Sequence, residues 1–185
     1  MTGTIWTLGH WTSPVDAVLA TLRSVEIDEL VDVRKLPGSR RSPQFDAEEM
    51  TRWLGGAGIG YRRSAELTGR RPKQRDVDSQ LNAGWQNTSF RNYADHTLSA
   101  EYEQGIEVLE ALAAEHHVAV MCGEPMPWRC HRLLISNTLV ARGWEVVHLR
   151  VGSAPAVHEL GAWGARPIVR EDGTVIYPPE AQEES

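Results

Sequence analysis

Both cysteines of the chain fall within twelve residues, Met121-Cys122-Gly123-Glu124-Pro125-Met126-Pro127-Trp128-Arg129-Cys130-His131-Arg132, beside a carboxylate, a histidine and two arginines. Cys130-His131-Arg132 opens an expected helix, where unpaired backbone N–H groups and the helix dipole favour an anion and lower a thiol pKa. Two chemistries suit such a segment. In one, Cys130 is a thiolate nucleophile, with His131, His10 or His148 as proton-transfer partner and Glu124 or Asp32 as acid/base or orienting group. In the other, Arg34, Arg129 and Arg132 clamp a phosphate and Cys130 merely fills space. A metal site ranks below both. Cys-x7-Cys-His is not a usual zinc spacing, and adjacent Cys130 and His131 on a helix are expected to point apart. A Cys122–Cys130 disulfide is disfavoured in a reducing compartment.

Strands and helices must bring these residues together. Thr4–Leu8, Glu29–Val33, Ile59–Arg63, His117–Met121 and Glu145–Leu149 read as strands. Helices are expected after Ser13-Pro14, after Asp46, after Ser99 and over Leu133–Arg142. Asp46 with Glu49 matches a capping box, and Phe45 with Met50 a hydrophobic staple. This alternation implies an α/β fold: a single domain with a mostly parallel sheet of about five strands and helices on both faces. Ligands of such sheets bind beyond the carboxyl ends of the strands. There His10 follows the first strand, Asp32 and Arg34 end the second, Cys122 and Glu124 end the fourth, and His148 lies near the end of the fifth.

The domain is expected over residues 1–168, with a long loop or lid at about 68–98 and a short helix from Ala154 to Trp163. Residues 169–185 read as a C-terminal extension with a hairpin turned at Asp172-Gly173 and a frayed end from Pro178.

The totals narrow the class. No apolar run approaches the roughly 20 residues that span a bilayer, and two cysteines are too few for a disulfide framework, so a cytoplasmic protein is expected. The net charge of −6 conceals a segment from Arg34 to Arg75 with eleven basic and four acidic residues. That surplus suits a phosphorylated small molecule or a nucleic acid as partner, although a solvated arginine-rich loop would look the same. Trp11, Trp85, Phe90, Tyr93 and Trp128 are candidate stacking partners for a base.

Thr7-Leu8-Gly9-His10, Asp32-Val33-Arg34, Pro37-Gly38-Ser39-Arg40 with Phe45, Gly58-Ile59-Gly60-Tyr61, Cys122-Gly123-Glu124, Cys130-His131-Arg132 and Val147-His148 resemble, in order and spacing, the DUF488 family, a domain of unknown function. The resemblance spans about residues 4–150. It implies a small cytoplasmic α/β protein whose hallmark motifs look like a ligand or catalytic site, which adds Cys122, Ser39 and Arg40 to the ligand-binding candidates. Two departures stand out. Trp11 follows Gly9-His10 where a serine is common, and Leu67-Thr68-Gly69 replaces Leu-Gly-Gly.

The resulting expectation is an enzyme, a hydrolase or group transferase, that binds a phosphate-bearing ligand such as a nucleotide or nucleic acid at the carboxyl edge of the sheet. No organic cofactor is expected, because neither G-x-G-x-x-G nor a Walker loop occurs. A noncatalytic nucleic-acid binding module is the alternative, and a metal-binding protein the third.

Overall fold

Short strands pair side by side in the computed structural model, which describes residues 3–181. In chain order the elements are β1 (Thr4–Gly9), α1 (Val15–Ser24), β2 (Glu29–Asp32), α2 (Ala47–Gly56), β3 (Gly60–Arg63), α3 (Thr88–His96), α4 (Ala100–Ala113), β4 (Val118–Cys122), α5 (Arg132–Ala141), β5 (Glu145–Arg150), β6 (Ser153–Val157), β7 (Ile168–Val169) and β8 (Val175–Ile176). The main sheet has six strands in the order β3-β2-β4-β1-β5-β6, parallel throughout except for β6. The α/β expectation holds.

Strand alternation splits the core in two. Val118, Val120 and Cys122 of β4 face a cluster built with α4 and α5, whereas Ala119 and Met121 face one built with α1 and α2. A strand buried on both faces reads as an unbroken apolar run, which is why VAVMC was legible. Because β1, β2, β3 and β4 are parallel, the loops that follow them leave from one edge of the sheet. The chain steps outward from β1 to β2 and β3, then β4 inserts between β2 and β1, so the crevice opens at the centre of that edge.

Several local expectations change. The segment 68–98 contains α3, whose N-cap Asn87 accepts hydrogen bonds from the Ser89 and Phe90 N–H groups, and whose Tyr93 and Ala94 are buried. In place of the helix expected over Ala154–Trp163 is β6, an antiparallel edge strand, where Pro155 is tolerated because one side of an edge needs no donor. The Asp46–Glu49 capping box does not form. The Asp46 carboxylate instead accepts from the Ser39 N–H at 3.1 Å, and Glu49 pairs with Arg52. Phe45 and Met50 do pack in one cluster, as the staple requires. The Asp172-Gly173 turn joins β7 to β8, and Val175 and Tyr177 beyond it are buried in the α4/α5 core. Of the end expected to fray, residues 182–185 lie outside the described residues.

Candidate functional site

The loops after β1, β2 and β4 and the start of α3 enclose a cavity of roughly 1020 Å³ at the carboxyl edge of the sheet. Of the residues singled out in the sequence, His10, Arg34, Ser39, Arg40, Cys122, Glu124, Arg129, Cys130 and His131 line it. Asp32, Arg132 and His148 do not; all three lie behind its wall, essentially unexposed.

Cys130 precedes the helix in an extended conformation, and only His131 turns into it. The two side chains therefore do not diverge as they would one step apart on a helix. Cys130 Sγ lies 3.4 Å from His131 Nδ1. On the far side of the ring, His131 Nε2 is 3.0 Å from the Val33 carbonyl, which can only accept. The ring proton thus sits on Nε2, and Nδ1 presents its lone pair to the thiol. Burial holds the His131 pKa below its usual value, so the ring stays neutral and basic toward Cys130. Gly69 permits this arrangement, since a Cβ there would come within 2.6 Å of His131 Nδ1.

The thiols differ. A hydrogen bond from Cys122 holds the Cys130 pKa down, helped by the Arg132 charge and backbone N–H, and these outweigh the opposing effect of burial. Burial pushes Cys122 well up, so it keeps its proton and donates.

Asp32 and Arg34 form a buried scaffold. Arg34 donates to the carboxylate from its backbone N, from Nε and from Nη2, the last at 2.8 Å, and Tyr61 adds its hydroxyl at 2.5 Å. Arg34 Nη2 also donates to the Phe45 carbonyl, and Nη1 donates to His10 Nε2. His10 in turn donates from Nδ1 to the Trp11 carbonyl and stacks on Phe45. Burial lowers its pKa to about 4. Arg34 therefore reaches the cavity with its charge already matched by Asp32, and His10 is a neutral support with both nitrogens engaged.

Positive charge without such matching surrounds the mouth. Lys35, Arg40, Arg41, Arg70 and Arg129 line the cavity, and among the described residues none of their side chains makes a hydrogen bond or ion pair. Glu124 alone opposes them, and its carboxylate is likewise unengaged. Arg71, by contrast, is consumed by Glu101 and by the carbonyls of Ala65, Glu66 and Thr68. Trp11, 48% exposed with φ 46°, places an indole at the rim.

The family described as domain of unknown function DUF488 matches residues 14–139, more than half of the chain. The chain belongs to the DUF488 family. No curated protein and no solved structure matches it. The DUF488 match takes in Arg34, Glu124 and the Cys130–His131 pair, while His10 and His148 fall on either side of it.

Sequence reasoning named Tyr61 and Gly69 only as parts of motifs, with no site role, and did not single out Asn87 or Ser89. Gly69 and the two α3 residues come from the segment with no clear periodicity, and Tyr61 belongs to an edge strand whose neighbour could not be named in advance. Among the described residues no three His, Cys, Asp or Glu side chains converge to hold a metal ion, and no helix is long and apolar enough to cross a membrane.

One glycine fixes the geometry of the whole edge. A Cβ on Gly9 would lie 1.8 Å from the Glu124 carbonyl oxygen, a backbone atom that cannot swing aside. Gly9→Ala should force the 124–125 loop off β1 and cost about 2–3 kcal/mol of stability. Urea unfolding with wild-type stability would contradict this packing.

Proposed function

We propose that this DUF488 protein is a cysteine-dependent hydrolase or group transferase acting on a phosphate-bearing ligand such as a nucleotide. The observation that carries the reading is one cavity that joins a thiol, paired with a neutral imidazole acceptor, to five cations lacking ion pairs. A chain with a net charge of −6 that surrounds one cavity with unmatched cations favours an anion there over the rest of its surface.

The division of labour follows from the geometry. Lys35, Arg40, Arg41, Arg70 and Arg129 hold the anion, and Trp11 stacks on an attached ring. Cys130 loses its proton to His131 Nδ1, and Sγ attacks the electrophilic carbon or phosphorus as the bond to the leaving group breaks. The imidazolium returns the proton to the leaving group. Water, or the hydroxyl of another acceptor, then gives its proton to Glu124 and attacks, expelling Cys130 as the thiolate, which takes the proton back from Glu124 and restores the starting state.

A panel of nucleotides and phosphate esters, screened first by thermal shift and then by product release, tests this. With a substrate in hand, Cys130→Ala should lower kcat by on the order of 10³-fold or more while leaving ligand affinity within a few fold. Undiminished turnover in that variant would remove the nucleophile. Binding to single- or double-stranded nucleic acid that falls steeply with salt, with no turnover of any compound, would instead support the noncatalytic module.

A further inference from the structure

Arg132 does not touch the ligand cavity, and its surroundings are unusual for a charged group. It is fully buried, forms no ion pair among the described residues, and stands in the first turn of α5, where a cation opposes the helix dipole. Nη1 donates to Thr7 Oγ1 at 3.1 Å and Nη2 to the Glu124 carbonyl at 3.1 Å, while Nε has no partner among the described residues. A buried charge of this kind persists only where something compensates it.

Part of the compensation is a one-way chain of hydrogen bonds. Asn137 Nδ2 donates to the Tyr177 hydroxyl, so Asn137 Oδ1 faces His158 Nε2 at 2.8 Å and accepts its proton. His158 Nδ1 is then an acceptor for His148 Nε2–H at 2.9 Å, and His148 Nδ1 an acceptor for the Thr7 hydroxyl at 2.6 Å. That leaves the Thr7 oxygen lone pair for Arg132. Every bond donates away from the guanidinium, so every dipole turns its negative end toward it. Both rings must be neutral for the chain to close, and burial keeps them so.

Dipoles soften the charge without cancelling it. The Glu124 carbonyl that accepts from Arg132 lies 3.5 Å from Cys122 Sγ, and the Cys122 thiol, the Arg132 charge and the Arg132 backbone N–H all favour the ionised form of Cys130. We propose that Arg132 is a positioning residue whose buried charge stabilises the thiolate that Cys130 becomes on giving its proton to His131, and that Thr7, His148, His158 and Asn137 keep that charge in place. The proposal rests on the reading of Cys130 as the reacting atom of the site. The other titratable groups around Cys130 are Cys122 on β4, Glu124 and Arg129 on the following loop, His131 beside it, Tyr93 on α3, Arg70 and Arg71 on the preceding loop, and Arg34 beyond β2.

Iodoacetamide alkylation of the full chain between pH 4 and 10, with Cys130 and Cys122 resolved by peptide mass, measures the effect without any substrate. Arg132→Gln should slow Cys130 alkylation at pH 7 by about tenfold and move its midpoint up by about one pH unit. Arg132→Lys, which keeps the charge, should recover most of the wild-type rate. Thr7→Val leaves the charge but removes its oxygen contact and breaks the chain, and should slow alkylation by about threefold; it carries the test if Arg132→Gln fails to fold. A Cys130 midpoint unchanged in folded Arg132→Gln or Thr7→Val, or a Lys variant as slow as the Gln one, would overturn the proposal. A low, Arg132-dependent midpoint in a protein that turns over no phosphate ester would sustain it while removing the proposed activity. Cys130-dependent turnover with an Arg132-independent midpoint would do the reverse.

Discussion

Asp32→Asn is expected to cost about 3–5 kcal/mol of folding stability, the range for removing one partner of a buried ion pair. Asp32 is completely buried and accepts from the Arg34 backbone N, Nε and Nη2 and from the Tyr61 hydroxyl. Asparagine keeps the shape but replaces one acceptor oxygen by an NH2 group, which then faces donors, and it leaves the Arg34 charge unmatched beneath the cavity. The loss should reach beyond stability. Arg34 is the hub that fixes His10 Nε2 and the Phe45 carbonyl, so the loops after β1 and β2 both lose their anchor. Urea unfolding of Asp32→Asn beside Asp32→Ala separates the contributions. If the lost charge dominates, the two should fall together. An Asn variant as stable as wild type would show that Arg34 is held by its other contacts and that the pair is dispensable.

The edge at which the chemistry gathers was legible because strand ends can be read locally. Gly9-His10, Asp32-Val33-Arg34 and Cys122-Gly123-Glu124 each follow a run of buried apolar residues, and parallel strands send all such ends one way. Depth along that edge was not legible. Whether Arg132 points at a ligand or into the interior depends on α5 being covered all round, and its cover comes from α3 and from β8 with the Tyr177 that follows it, far away in sequence. The same holds for His148. Near the end of β5 it looks like a site residue, but pleat alternation turns it toward α5, where Thr7 and His158 take up its hydrogen bonds. Elements with few apolar residues escaped for another reason. In TSFRNYADH only Phe90, Tyr93 and Ala94 mark the buried face of α3, too few to show a period. The edge strand SAPAV carries small residues and a proline that suggest a helix or a loop until β5 is placed beside it.

Those buried histidines predict a strong acid sensitivity. Burial lowers the pKa of His148 to about 3 and of His158 to about 4, and His10 likewise to about 4, each from an ordinary value near 6.5. Each ring is therefore neutral when folded at pH 5, while the same ring in the unfolded chain is mostly protonated. The unfolded state binds more protons, so stability rises with pH through this window: it is fully present above about pH 6.5 and is lost progressively down to about pH 3–4. One pKa unit corresponds to about 1.4 kcal/mol, so at pH 5 each ring accounts for on the order of 2 kcal/mol, and three rings for a large share of the roughly 5–15 kcal/mol that such a domain has. The structural cause is specific. A proton added to His148 or His158 would set a donor against a donor in the chain that ends at Arg132, and would place a second charge beside the first. Urea midpoints measured at pH 7.5 and pH 5.0 should differ strongly in the wild type. In His158→Asn, which cannot take up a proton, the difference should shrink by about one third if the rings act independently, and by more if protonation of one disrupts its neighbour. Equal midpoints at the two pH values in the wild type would mean that the rings are already charged when folded, and the one-way chain could not then exist.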